Sequence, residues 1–189
     1  MSSLVMSMTI SLDGYATGPE VSMENAMGVG GEALHTWLFE GDDTDKSVAE
    51  SLSRGIGACL VGRVMHDLGV PHWGDVPFPL PTVVLTHEEL PDRPMTSGSF
   101  TYVSGIKPAL ARARELAGDQ DVLLMGGPGV IRQYLSTGLV DEIRLSIAHL
   151  LLGGGLRLFE GIGTPPPQFE TVSSRSSSLA THLVLRVTR

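Results

Sequence analysis

Four apolar residues, Val122 to Met125, are followed by Gly126-Gly-Pro-Gly129 and then by Val130, Ile131, Tyr134 and Leu135 at helical spacing. That pattern predicts a buried strand, a glycine turn and a helix. Upstream, Leu4 to Ile10 alternates apolar and small polar residues and reads as the first strand. From Ser11 to about Gly31 there is no period, and Gly14, Gly18 and Pro19 mark a loop. A stretch of that length is more typical of a lid or binding loop than of an ordinary connection. Glu32 to Phe39 sets Leu34, Trp37 and Leu38 on one helical face, with Glu32 in the first turn, where the helix dipole favours an acid. Asp42 to Asp45 reads as a solvated N-cap before a helix at 46–54. Ala58 to Val61 and Thr82 to His87 are apolar strands, and Gly62-Arg63 opens a short helix at 63–68. Residues 71–81, with four prolines, read as a loop.

A strand at Phe100–Val103 and a helix at Lys107–Leu116 with a basic face (Lys107, Arg112, Arg114) lead into the glycine unit. Val140 to Leu152 reads as one long strand, with Ile143, Leu145 and Ile147 opposed to Glu142, Arg144 and Ser146. Gly153-Gly-Gly155 ends it as a turn or bulge. Pro165 to Pro167 forms a stiff connector, and Phe169–Ser173 with Ala180–Val187 make a closing hairpin. Strands alternating with helices and then a strand-rich last third imply an α/β fold. Its central sheet is mostly parallel, flanked by helices, with an antiparallel C-terminal edge. No repeat or linker interrupts the chain, so residues 1–189 are expected to form a single domain.

Composition narrows the function. The 42% hydrophobic and 18% charged residues are ordinary for a soluble globular protein. No apolar run is long enough to span a bilayer, and the N-terminus lacks the basic start of a signal peptide. The single cysteine, Cys59, lies in an apolar run and suits a reducing cytoplasm. A net charge of −8 argues against general nucleic-acid binding. The charge is uneven, with 14 acidic and 4 basic residues in 1–95 against 7 and 9 in 96–189, so the second half better suits a phosphate-bearing ligand. The clustered carboxylates of Asp42, Asp43 and Asp45 lack EF-hand spacing, and no metal site is expected.

The glycine turn is the main candidate for chemistry. It leaves helix N-terminal N–H groups unpaired, and the missing Cβ atoms allow close approach of an anion such as a dinucleotide pyrophosphate. A tight strand-to-helix connection with no ligand is the alternative. The turn is not the Rossmann G-x-G-x-x-G of a first βα unit. Arg63 offers a guanidinium fork at a strand-to-helix junction, and Thr86 and His87 sit at the carboxyl end of a strand, where ligands gather in open α/β sheets.

Several short motifs occur in order: Ser11-Leu-Asp-Gly14, Val61-Gly-Arg63, Val84-Leu-Thr-His87, Met125-Gly-Gly-Pro-Gly129, Gly138-Leu-Val-Asp-Glu142 and Leu151-Leu-Gly-Gly-Gly155 before Arg157-Leu-Phe159. Together the chain resembles the dihydrofolate-reductase-like superfamily. The closer resemblance is to the reductase domain of the riboflavin-biosynthesis deaminase-reductase and its stand-alone relatives. It implies NADPH as hydride donor to a small heterocyclic substrate, pterin-like or pyrimidine-like, or to another carbonyl or imine. It further implies that Gly126, Gly127, Pro128, Gly129, Val130 and Ile131 cradle the pyrophosphate. Gly62, Arg63, Thr86 and His87 would surround the adenosine end, and the loop from Asp13 through Ala16 and Thr17 would approach the nicotinamide. Asp13 and Glu32 are the candidate catalytic acids, with an ordered water as the alternative proton source. A homodimer is also implied. Two departures stand out. Val64 and Met65 follow Gly62-Arg63 where the family carries Arg or Lys and then Thr, so fewer phosphate donors stand there. The zinc signature of the deaminase domain is absent from the chain. The competing expectation is a nucleotide- or small-ligand-binding protein with weak catalysis on the same scaffold.

Overall fold

The computed structural model describes residues 2–188. In chain order it forms β1 (Leu4–Ser11), β2 (Tyr15–Thr17), a 3-10 turn (Gly31–His35) running into α1 (Thr36–Glu40), α2 (Asp43–Ser51), β3 (Ile56–Gly62) and α3 (Arg63–Trp73). Next come β4 (Thr82–Leu85), β5 (Arg93–Pro94), β6 (Ser99–Val103), α4 (Ile106–Ala117), β7 (Asp121–Gly126) and α5 (Pro128–Ser136). The chain closes with β8 (Glu142–Ala148), β9 (Leu156–Arg157), β10 (Gln168–Ser176) and β11 (Ala180–Thr188). The main sheet has the order β10-β11-β8-β1-β7-β3-β4-β6-β5, and β2 pairs with β9 in a second, two-stranded sheet. The six strands from β8 to β6 are parallel; β11 and β5 run against them at the two sides, and β10 pairs antiparallel with β11 at the outer edge.

Both faces of the parallel sheet are covered, so its central strands are apolar throughout instead of alternating. Every residue of β3 is buried. The side chains still sort by strand period. Leu4, Met6, Leu60, Val122 and Leu124 meet α4 and α5 through Ala109, Leu110, Ala113, Ile131, Tyr134 and Leu135. Val5, Cys59 and Leu123 face the other side, against Phe78 and Leu80. Tyr134 is fully buried, and its hydroxyl donates to the Ile106 carbonyl at 2.7 Å, which satisfies its one polar atom. Burial pushes the Cys59 thiol up to about 12, so this cysteine is inert packing.

Several boundaries differ from the sequence expectations. α3 continues past residue 68 to Trp73 and takes in Pro71 and His72, read above as loop. Pro71 has no N–H for the Asp67 carbonyl, so α3 forgoes one bond in its last turn, while Gly69 leaves the space that the Trp73 ring fills. The long strand stops at Ala148 instead of Leu152. There the Leu150 N–H turns back to the Ala148 carbonyl, and Leu151 is left exposed. Both edges of β8 are paired, to β1 and β11. The helix expected at 46–54 spans Asp43–Ser51, because Asp42 and Asp45 form a reciprocal capping box. The region from 11 to 31 is less irregular than its composition suggests. It contains β2, and Gly18 and Val29 donate their N–H groups to Met27 and Pro19, stapling the loop shut at its base.

A buried polar chain ties the N-terminal helices to the C-terminal hairpin. The Asp45 carboxylate, fully buried, lies 2.8 Å from His182 Nε2, and His182 Nδ1 lies 2.8 Å from the Ser146 hydroxyl. The Trp37 ring packs edge-on against His182.

Candidate functional site

Parallel strands bring all their carboxyl ends to one edge of the sheet. The adjacency of β1, β7, β3 and β4 therefore sets Ser11-Asp13, Gly126–Ile131, Gly62-Arg63 and Thr86-His87 side by side there. These segments, separated widely in sequence, form one continuous rim.

The centre of the rim is the turn between β7 and α5. Gly126 has φ +126°, a backbone region that L side chains avoid, and Met8 and Met65 crowd the place a Cβ would occupy. The Gly126–Gly127 peptide is cis. Gly127 caps α5, its carbonyl accepting from the N–H groups of Val130 and Ile131 at 3.0 and 3.1 Å, and Pro128 occupies the first helical position. At Gly129 a Cβ would meet no atom within 4 Å, and at Gly127 only Met65 Cβ at 4.0 Å. The first turn of α5 thus faces open space with its dipole aimed outward, the arrangement an anion needs. Gly62 lets α5 come this close, since a Cβ there would stand 2.5 Å from Val130 Cγ2.

Two arginines flank this turn. Arg132 donates to the Arg157 carbonyl at 3.3 Å. The Arg157 guanidinium lies 4.4 Å above the Tyr15 ring centre and donates to the Tyr15 hydroxyl and the Asp13 carbonyl. Arg157 stands in one of the sequence motifs without a role, and the sequence pattern gives Tyr15 and Arg132 none, because the β2–β9 pairing that sets Arg157 against Tyr15 is long-range.

Asp13 is fixed by its neighbours. Its carboxylate accepts from the Ser11 hydroxyl and from the N–H groups of Leu152 and Gly153 at 3.1 and 2.8 Å. The Ser11 bond chiefly, opposed by desolvation and aided by the Gly153 and Leu152 amides, holds it at about 2. Such an acid is ionised at neutral pH and has no proton to give, so Asp13 organises the 150–155 loop against β1. Ala16 is buried in the core, and the Thr17 hydroxyl accepts from the Leu156 N–H at 3.4 Å, so these two present backbone to the rim. Glu32 stands exposed on the 3-10 turn.

At the β3–β4 end, Arg63 is paired with two carboxylates. Its Nε bonds both Asp67 oxygens at 2.8 Å and one terminal nitrogen bonds Glu88 at 2.7 Å. The pairing with Asp67 is an i, i+4 helix pair and was readable from spacing; the Glu88 contact was not. These bonds, Asp67 first, raise the Arg63 pKa. Thr86 accepts from the Glu88 N–H at 3.1 Å, fixing the turn after β4, and His87 is exposed beside it.

A cavity of about 390 Å³ lies elsewhere, between α2 and the β8–β11–β10 side, and includes Arg144, Arg175, Ser146 and His182. Ser146 sits mid-strand and is paired on both sides, to Thr9 and His182, so its backbone is taken up by the ladders and forms no oxyanion donor pair. The Asp45–His182–Ser146 chain therefore serves to anchor α2.

Strand order and the covered parallel sheet with its antiparallel edges define a dihydrofolate-reductase-like fold. A solved structure of dihydrofolate reductase from Enterococcus faecalis, complexed with NADP(H) and RAB-propyl, matches at TM-score 0.59 and 14% identity, covering 99% of this chain and 97% of that one. A protein from Shewanella sp. PV-4 assigned to riboflavin biosynthesis matches at TM-score 0.73 and 21% identity over 99% of both chains. The Thermotoga maritima diaminohydroxyphosphoribosylaminopyrimidine deaminase/5-amino-6-(5-phosphoribosylamino)uracil reductase matches at TM-score 0.67 and 16% identity, over 99% of this chain and 57% of that one. Comparison with curated proteins gave no match. Residues 2–183 match the model of the RibD C-terminal domain, and the chain belongs to that family.

Proposed function

We propose that this protein is a reductase that binds a reduced nicotinamide dinucleotide along the carboxyl edge of its sheet and reduces a C=N or C=O bond of a small heterocyclic substrate. The observation that carries the proposal is the α5 N-terminus. It opens onto free space at Gly127 and Gly129, with Arg132 and Arg157 beside it. The residues fit the pyrophosphate of the NADPH that the family resemblance implies, while Arg63 at the β3–β4 end is already paired with Asp67 and Glu88. When bound, the dinucleotide supplies the hydride.

The chain's own residues bind, orient and shield. The N–H groups of Gly127 and Gly129 and the α5 dipole would hold the pyrophosphate, and Arg132 and Arg157 would add charge. Ionised Asp13 keeps the 150–155 loop against β1, which fixes one wall of the substrate end. The exposed apolar groups Leu12, Val29, Leu151 and Leu156 stand on the loops around that end, where they would pack on a flat heterocycle and exclude water. With Asp13 ionised, proton delivery falls to Glu32 or an ordered water.

The test is a calorimetric titration with NADH and NADPH on the wild type, Gly129→Ala and Gly129→Asp. Both substitutions meet open space, and Asp at the second helical position suits the α5 dipole, so the fold should hold. Micromolar binding kept by Ala and lost by at least tenfold in Asp supports the cradle. Equal binding by all three removes the pyrophosphate from α5. A dinucleotide that binds but is not oxidised by any of a broad heterocycle panel would favour the small-ligand-binding reading over the reductase.

A further inference from the structure

We infer that the adenosine end of the site selects a ribose with a free 2′-hydroxyl, so that NADH is preferred to NADPH, and that Glu88 is the selecting residue. This rests on the dinucleotide-reductase reading above.

Between Gly62 and Asp92 the chain has one arginine, Arg63, and no lysine, against Asp67, Asp75, Glu88, Glu89 and Asp92. The Arg63 charge is already shared by two carboxylates: Asp67 takes its Nε and Glu88 one of its two terminal nitrogens, all within 2.8 Å. Asp67 is itself held from behind. His66 Nδ1 lies 2.8 Å from its carboxylate, and the Tyr102 hydroxyl lies 3.2 Å from His66 Nε2. With Nδ1 protonated, the imidazole donates to Asp67 and accepts from Tyr102. His66 is buried and packed edge-on against Phe100 and Tyr102. The five-residue relay from Tyr102 through His66, Asp67 and Arg63 to Glu88 therefore has a fixed inner end.

One guanidinium shared by two carboxylates leaves a local charge of one negative unit. A 2′-phosphate brought there would stand beside both carboxylates and compete with them for a single positive charge. A ribose diol meets the opposite situation: a carboxylate accepts from its hydroxyls, the discrimination acidic residues make in NAD-binding folds. The neighbours offer no compensation, since Val64 is 71% exposed and apolar and Met65 turns inward under Gly126. The Glu88 main chain is held by the Thr86 hydroxyl, so the carboxylate stays at the end of β4.

The test is a calorimetric titration with NADH and NADPH, and with 5′-AMP and 2′,5′-ADP as probes of the adenosine end alone. Wild type, Glu88→Gln and Glu88→Lys are compared. Glu88 is on the surface, and circular dichroism with thermal unfolding confirms that each variant is folded. NADH is expected to bind at least tenfold tighter than NADPH, and 5′-AMP tighter than 2′,5′-ADP. Removing one nearby carboxylate charge should narrow both ratios by on the order of tenfold in Glu88→Gln, and Glu88→Lys should reverse them. Equal or tighter NADPH binding by the wild type overturns the inference and leaves the reductase reading standing. A preference for NADH that is unchanged in both variants removes Glu88 as its source and overturns it as well. Failure of both dinucleotides to bind at millimolar concentration overturns the reductase reading and this inference together.

Discussion

The close approach of α5 to β3 can be tested at Gly62. A methyl group added there would stand 2.5 Å from Val130 Cγ2, with Val130 Cβ at 3.5 Å and the Gly126 carbonyl oxygen at 3.6 Å. Carbon atoms pack at about 3.5–4.0 Å, so the first contact is short by roughly 1 Å while the other two are ordinary. The strain is thus confined to one methyl group of Val130. Gly62 itself has φ −82° and ψ 155°, which any residue adopts, so no backbone penalty is added. Gly62→Ala should cost about 1–3 kcal/mol, the usual range for overpacking. Val130→Ala, at a half-buried position, should cost about 1 kcal/mol. In the double variant the clash is gone, and Gly62→Ala should then cost close to nothing, giving a coupling of at least about 1 kcal/mol. Urea unfolding of the four proteins measures this. The cradle should respond in parallel, since pushing α5 away moves Gly127 and Gly129, and dinucleotide affinity should fall in Gly62→Ala and recover in the double variant. An equal cost of Gly62→Ala in both backgrounds, or no cost in either, would refute the packing argument.

Two further outcomes follow from the acids on the rim. Asp13 is held at about 2 against an ordinary value of 3.8, so its contribution to stability is present above about pH 4 and is lost as pH falls through about 2. Asp13→Asn should therefore be less stable than the wild type at neutral pH, with the difference closing between about pH 4 and 2; a constant difference across that range would contradict the role assigned to the Ser11, Leu152 and Gly153 bonds. Glu32→Gln should slow substrate reduction by roughly 10²–10⁴-fold if Glu32 is the acid, with dinucleotide affinity unchanged in calorimetry; unaltered turnover would leave water as the proton source.

Much of the architecture was legible because local signals agreed with the fold. The apolar run before Gly126 and the helical period after Gly129 gave β7, the turn and α5 almost to the residue, and the alternation of helices and strands gave the parallel sheet with its antiparallel edge. Local signals failed where tertiary packing took over. Pro71 normally ends a helix, yet α3 absorbs it because Trp73 finds its place over Gly69. Leu150 to Leu152 look like more strand, but the chain turns at Ala148 so that the Leu152 and Gly153 amides can reach Asp13, 139 and 140 residues away. Sequence supplied Asp13 as an acid; only the fold shows its oxygens already occupied. Arg63 is a similar case. Its position at a strand end suggested a phosphate ligand, but Glu88, 25 residues on, takes one arm of the fork.

The place of β1 has a consequence for how the chain is made. It precedes the other strands along this chain, yet both its hydrogen-bonding partners, β7 and β8, lie at residue 121 or beyond. Even the amides of Ser3 and Leu4 depend on carboxylates 118 and 137 residues later, at Asp121 and Asp141. At about 5–20 residues per second, roughly 6–24 s pass on the ribosome before the first of these partners exists. Throughout that interval Leu4, Val5 and Met6 have two bare edges and no sheet to enter. A chain that stops short of Asp121 carries this apolar strand and can never bury it, and such truncated products should be the ones that chaperones retain and proteases clear.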